Sequence, residues 1–309
     1  MLNKIGYLNL VRYLITIIFL LASVKSLAQT IPIKLERNKT ILPVTIGDVG
    51  PLDILFDSGL SFDGLMIYNP DLRDSIILNN SIEVQIPGAG SGAPSTALMD
   101  SSASFFVGDI EFTNQKIIVL QNDIYKGFPT DGIIGYSILG HYITEIDYDT
   151  EQITLHNSEN FSPDESWYSI PIYFKDNPIP WIDVSVSIEG EEPINISTYI
   201  DLAAGDAIVL LEKDEMKFSL PKETKEILLG RGLSGDIYGK EGKISKLKIG
   251  SFELSEVTVK IAPARVRSKQ FGADAVIGND ALRRFNLIFD YSNELLYIKP
   301  NKYFDDQFE

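Results

Sequence analysis

Two acidic residues hold equivalent places in a sequence that repeats itself. The run Leu52-Asp53-Ile54-Leu55-Phe56 leads into Asp57-Ser58-Gly59, and Ile194-Asn195-Ile196-Ser197-Thr198-Tyr199-Ile200 leads into Asp201-Leu202-Ala203. Each apolar run reads as a buried strand that delivers one carboxylate at its end. Two such carboxylates meeting across a pseudo-twofold axis would make a site for acid–base chemistry.

The repeat continues around the acids. Gly88-Ala89-Gly90 is answered by Gly230-Arg231-Gly232, and Val107-Gly108-Asp109-Ile110-Glu111-Phe112 by Ile249-Gly250-Ser251-Phe252-Glu253-Leu254. Asp131-Gly132-Ile133-Ile134-Gly135 matches Asp274-Ala275-Val276-Ile277-Gly278, and Asp147-Tyr148 matches Asp290-Tyr291. The offsets, starting from the two acids, are 144, 142, 142, 143 and 143 residues. Spacing this constant over five landmarks reads as a duplicated domain with one acid per copy.

The elements that must position the acids are mostly strands. Short alternating or wholly apolar runs at 41–46, 82–86, 117–120, 182–188, 257–261 and 295–298, separated by Gly, Pro, Asn and Asp, predict an all-β protein rich in hairpins. Helices are expected at 137–142 and 280–285, after the paired Gly135 and Gly278. A third is expected at 222–229, where Pro221 suits a first turn and Gly230 a stop. The polar stretch 157–169, which carries Pro163, reads as the linker between lobes, and the acidic tail 303–309 as frayed.

Residues 1–28 read as a secretory signal. Lys4 and Arg12 precede an apolar run at 14–24 that is short for a membrane span, and Ser26-Leu27-Ala28 offers small residues for cleavage after Ala28. The expectation is an exported protein, periplasmic or secreted, with no stable membrane insertion once the signal is removed. The first lobe then spans 29–160 and the second 161–309. Without Lys4, Arg12 and Lys25, 24 of the 27 basic residues remain against 43 acids, a formal charge of −19. No basic tract could follow a phosphate backbone, so nucleic acid is not an expected partner. The absence of cysteine excludes disulfides, zinc–thiolate sites and thiol nucleophiles, leaving each lobe to rely on its core.

At the duplicated acids the sequence resembles the pepsin and retropepsin superfamily of aspartic proteases, and looks closest to exported bacterial aspartyl proteases. The stretch Ala275-Val276-Ile277-Gly278-Asn279-Asp280-Ala281-Leu282-Arg283-Arg284-Phe285-Asn286, followed by Phe289-Asp290-Tyr291 and Leu296-Tyr297-Ile298-Lys299-Pro300-Asn301, is especially typical of them. The resemblance runs from Ile41 to about Asn301. Many such proteins continue into a PDZ domain after Lys-Pro-Asn; none is expected here. The resemblance implies a bilobal, pepsin-like all-β fold of two pseudo-twofold-related barrel-like lobes with a few short helices. It implies catalytic Asp57 and Asp201 on facing loops, holding one water and sharing one proton, with no metal or cofactor. The ionised acid would act as base on the water while the protonated one polarises the scissile carbonyl. The Gly-rich stretch 86–95, with Gly88, Gly90, Ser91 and Gly92, matches the family flap, which closes on a peptide or protein substrate held as an added strand. Because one chain carries both acids, the expected catalytic unit is a monomer.

The two acid loops differ. Family loops read Asp-Thr-Gly or Asp-Ser-Gly, with the hydroxyl bracing the opposite loop and Gly allowing close backbone approach. Ser58 and Gly59 conform, whereas Leu202 and Ala203 supply neither hydroxyl nor glycine. A catalytically impaired peptide-binding protein of the same fold is therefore the alternative to an active endopeptidase. Gly230-Arg231-Gly232-Leu233-Ser234-Gly235 formally fits a dinucleotide motif, but that motif needs a strand before it and a helix after it, and the reverse is expected here. Asp53 and Asp63 read as solvated. Asp131 and Asp274 read as turn-forming acids, and His141 and His156, without metal-like spacing, as surface or loop residues.

Overall fold

The apolar runs form strands throughout the residues described by the computed structural model, 28–90, 92–157, 161–216, 218–263 and 272–308. The first half supplies β1 (Gln29–Pro32), β2 (Lys34–Glu36), β3 (Lys39–Ile46), β4 (Val49–Phe56), β5 (Gly64–Ile67), β6 (Ile82–Ile86), β7 (Ser95–Val107), β8 (Ile110–Leu120), β9 (Gly132–Ile134), β10 (Ile143–Asp147) and β11 (Gln152–His156). The second supplies β12 (Tyr168–Pro171), β13 (Trp181–Ser187), β14 (Ile194–Asp201), β15 (Ile208–Glu212), β16 (Lys225–Gly232), β17 (Gly235–Ile249), β18 (Phe252–Pro263), β19 (Ala275–Gly278), β20 (Phe285–Asp290) and β21 (Leu295–Pro300). Two one-turn helices, α1 (Tyr136–Leu139) and α2 (Asn279–Leu282), follow β9 and β19.

The protein is all-β and bilobal. The first lobe is an eight-stranded sheet in the order β2-β3-β4-β9-β5-β8-β7-β6, and the second a seven-stranded sheet in the order β13-β14-β19-β15-β18-β17-β16. Each curls back on itself, through β3–β7 in one and β13–β17 in the other. The acid-bearing strand runs parallel to the strand that ends in the paired glycine: β4 beside β9, and β14 beside β19. These central strands are covered on both faces, which is why their sequences are apolar runs rather than alternations. Ile54 and Phe56 in one lobe and Ile200, Val276 and Ile277 in the other are fully buried. A third sheet, β1-β11-β10-β20-β21-β12, takes three strands from each half and joins the lobes across the β10–β20 pair.

Three local expectations change. The helix expected at 222–229 is instead the start of β16: Lys225 pairs with Glu241 and Leu228 with Tyr238 in a long hairpin. The Lys225–Glu241 ion pair at 2.5 Å joins the two strands, so tertiary pairing overrides the local pattern. The expected helix–strand order around 230–235 is therefore a strand–strand order, with β16 before and β17 after, and still not the strand–helix order of a dinucleotide motif. The tail is packed rather than frayed over 303–308. The fully buried Arg284 donates to the carbonyls of Tyr303, Asp306 and Gln307 and stacks on Phe308, while Phe304 lies against Phe252 and Phe285. The helices expected at 137–142 and 280–285 both end early, at Leu139 and Leu282, and Phe285 already begins β20. The proposed signal lies outside the described residues except for Ala28, and no helix among those residues is long and apolar enough to cross a membrane.

Candidate active site

Strand β4 ends at Phe56, and its hydrogen bonding to β9 is continued by the Asp57 N–H, which donates to the Ile134 carbonyl at 2.8 Å. Strand β14 runs one residue further and includes Asp201. The strands are held in register by mirrored acids. The Asp131 N–H donates to the Asp53 carbonyl at 2.8 Å, and the Asp131 carboxylate accepts the Asp53 N–H at 2.9 Å. In the second lobe the Asp274 N–H donates to the Ser197 carbonyl at 3.1 Å, and its carboxylate accepts the Ser197 N–H at 3.3 Å. Asp131 and Asp274 thus pin the acid-bearing strands rather than merely shape a turn. Asn69 and Lys213 complete the two clamps, at 2.7 and 2.8 Å.

Behind each acid loop sits a glycine that cannot be replaced. A Cβ on Gly135 would overlap the Asp57 carbonyl oxygen, and one on Gly278 would overlap the Asp206 carbonyl oxygen. This contact explains why apolar-apolar-Gly recurs in both halves.

The two loops meet. Asp57 is buried, with 8% of its surface exposed, and its carboxyl group hydrogen-bonds that of Asp201. Burial, and then the neighbouring charge of Asp201, hold the Asp57 carboxyl well above the ordinary carboxylate range, opposed by the Gly59 N–H. Two carboxylates so placed cannot both ionise cheaply, so the proton belongs to the pair. The Gly59 N–H donates to Asp57 Oδ1 at 2.6 Å. Asp201 Oδ1 accepts from the N–H groups of Ala203 and Ala204 at 3.1 and 3.0 Å.

The brace between the loops runs in one direction. Ser58 Oγ donates to the Ile200 carbonyl at 2.8 Å and accepts the Leu202 N–H at 3.1 Å. The Leu202 side chain has no hydroxyl to return the contact and is fully buried in the hydrophobic core. At Gly59 an added Cβ would stand 3.0 Å from Asp57 Oδ1 and 3.5 Å from Asp201 Cγ. The second lobe carries a methyl at the equivalent Ala203.

Of the flap residues, Gly88, Gly90 and Gly92 lie in the loop between β6 and β7, and Ser91 lies outside the described residues. The opposing hairpin β16–β17 brings its own tip, Leu233 and Ser234, against them. Gly90 and Ser234 form a parallel bridge, Gly92 N–H donates to Ser234 O at 2.7 Å, and Ser234 N–H donates to Ala89 O at 2.9 Å. Ser95 Oγ donates to Leu233 O at 2.9 Å. A Cβ on Gly88, Gly90 or Gly232 would collide with the opposite tip. The residues missed by sequence reasoning are these second-tip residues, although the pairing of Gly88-Ala89-Gly90 with Gly230-Arg231-Gly232 already pointed to a second hairpin.

The remaining expected polar residues lie outside this centre. Asp53 pairs with Lys34 at 2.6 Å, and His141 contacts Asp63 at 3.1 Å. His156 ends strand β11 and contacts Glu145 at 2.7 Å, half-buried rather than in a loop.

The family model described as Aspartyl protease matches residues 42–138, a segment that contains Asp57, the β6–β7 loop, Gly135 and most of α1. Asp201 falls outside the matched segment. No curated protein matches the chain. An all-β bilobal fold, the matched first lobe and a second lobe that repeats its topology lead to one conclusion: over residues 42–138 this chain is similar to the retropepsin-like aspartyl proteases.

Proposed function

We propose that the protein is an aspartic endopeptidase in which Asp57 and Asp201 activate a water molecule for attack on a peptide bond. The observation that carries this reading is the buried contact between the two carboxyl groups, with the Asp57 carboxyl held above the ordinary range by burial and by Asp201. In such a pair the ionised acid takes a proton from water while the protonated one donates to the carbonyl oxygen. The tetrahedral intermediate then collapses with proton transfer to the leaving amine. The facing hairpin tips fit a substrate held in extended form by backbone hydrogen bonds. Residues 1–28 mark the protein for export, and a single chain that supplies both acids acts as a monomer.

A specific observation favours a second reading, a peptide binder with impaired chemistry. The Asp201 loop lacks the hydroxyl and the glycine of its counterpart. The test is a quenched-peptide library assayed from acidic to neutral pH, with and without a transition-state inhibitor of aspartic proteases. Inhibitor-sensitive turnover supports the endopeptidase. Peptide binding without turnover at any pH supports the binder.

A further inference from the structure

We propose that Lys39 is a positioning residue of the candidate dyad. On this view the first lobe lends its ammonium group to the Asp201 loop, in compensation for the hydroxyl missing at position 202. The inference rests on the reading of Asp57 and Asp201 as a working pair.

The argument begins with an asymmetry of the sheets. The first lobe has an added edge strand, β2, without a counterpart in the seven-stranded sheet of the second. Strands β2 and β3 are joined by the two residues Arg37 and Asn38, since Glu36 pairs with Lys39. Both turn residues have positive φ, 48° and 59°, the geometry of a tight hairpin whose twist matches its strands. This turn projects the first residues of β3 across the lobe boundary.

What it reaches is the loop that departs from the expected pattern. Lys39 Nζ donates to the Ala203 carbonyl at 2.7 Å, and Asn38 Nδ2 to the Gly205 carbonyl at 3.2 Å. The turn is itself anchored from α2, where Asn279 Nδ2 donates to the Asn38 carbonyl at 2.9 Å and the Asn279 N–H donates to Ala204 at 2.7 Å. Tyr148 OH holds the Asn279 amide oxygen at 2.7 Å. The backbone carrying Asp201 is therefore gripped at Ala203, Ala204 and Gly205 by groups arranged around the β2–β3 turn.

Lys39 also brings a charge. The titratable groups facing Asp57 are Asp201 across the axis, Lys39 on β3, Tyr68 beyond β5 and Tyr291 after β20. Burial pushes both tyrosine hydroxyls up, so they stay neutral wherever a carboxyl pair titrates. Lys39 favours the ionised form of Asp57 and opposes the effects of burial and Asp201. A single group thus secures one loop and biases the proton of the pair.

The test uses the full chain labelled with carboxyl-13C aspartate, with Asp57 and Asp201 assigned through their Asn variants. Lys39→Met should raise the pH midpoint of the pair by about half a unit or more. It should lower kcat about tenfold, because the loop is less well placed, with KM changed less than about twofold. Lys39→Arg should restore both. If Lys39→Met does not fold, the midpoint is read in Lys39→Gln, which keeps a hydrogen-bond donor and drops the charge. The loss should shrink in a Leu202→Thr background, where the missing hydroxyl is returned. An unchanged midpoint in the folded variant, or Lys39→Arg behaving like Lys39→Met, overturns the proposal. The titration does not require turnover. A shifted midpoint in a protein that cleaves nothing sinks the endopeptidase reading alone, and active wild-type protein with an unshifted midpoint sinks the role of Lys39 alone.

Discussion

In the first lobe, Asp57 Oδ1 accepts a short bond, 2.6 Å from the Gly59 N–H. In the second, Asp201 Oδ1 is shared between two longer bonds, at 3.1 Å from Ala203 and 3.0 Å from Ala204. The second loop also leans on its neighbour, through Ser58 at Ile200 and Leu202, Lys39 at Ala203 and Asn38 at Gly205. The two halves of a duplication have thus diverged in self-sufficiency. One loop keeps the residues of its motif, and the other keeps its acid while its support comes from across the axis. A gene duplication allows this, because both copies then travel in one chain and need not remain interchangeable.

The strongest way to break the comparison is to remove each acid. Asp57→Asn and Asp201→Asn should each lower kcat by about 10²- to 10⁴-fold while leaving the fold intact, measured as kcat alongside far-UV circular dichroism. Turnover that survives Asp201→Asn would mean that the second loop contributes no chemistry, and the equivalence of the loops would fall.

The next effect concerns stability. Ser58→Ala leaves the buried Leu202 N–H and Ile200 carbonyl without their partner, at a cost of about 1–3 kcal/mol read from the urea midpoint. A negligible change would show that the one-way brace carries little of the contact between lobes.

A third prediction follows from the proton on the pair. Because the Asp57 carboxyl is raised in the folded protein, its contribution to stability is complete below its ordinary 3.8 and is lost as pH rises through its folded value. Asp57→Asn removes that loss. The variant should gain stability over wild type at neutral pH, and the gain should vanish towards pH 3, with each tenfold in proton affinity worth about 1.4 kcal/mol. A difference independent of pH would place the proton elsewhere.

The smallest effect sharpens the comparison. Leu202→Thr with Ala203→Gly returns the hydroxyl and removes the extra Cβ, and should raise kcat/KM by about threefold to tenfold, equivalent to about 1 kcal/mol. A decrease would show that the buried Leu202 side chain is worth more to the core than a hydroxyl is to the loop.

Much of this was legible because duplication gives every feature a second witness. Asp57 and Asp201, Gly135 and Gly278, and Asp131 and Asp274 could each be located by a partner at nearly constant offset. Where the two witnesses were not compared, reading failed. The stretch 222–229 has a helical look by itself, yet its alignment with the first-lobe flap called for a strand, and the pairing of Leu228 with Tyr238 decides it. The β2–β3 turn had no witness at all. Arg37-Asn38 is not one of the glycine-containing pairs that announce a tight hairpin, and the reach of Lys39 to Ala203 spans 164 residues of sequence. The packed tail was hidden for a similar reason: its anchor, Arg284, looks like a surface charge until its carbonyl partners are in place.

The hairpin tips joined at Gly90 and Ser234 have a topological consequence. The lobes touch at the tips and again at the acid loops, so any peptide lying between the two contacts would be encircled by a single molecule. A chain can enter such a ring only by threading from a free end or by waiting for the tips to part. Both tips belong to one polypeptide, so parting them would break contacts within a single chain. An extended tail or an unfolded segment would fit both routes, so the ring would select for chain flexibility ahead of any preference for side chains.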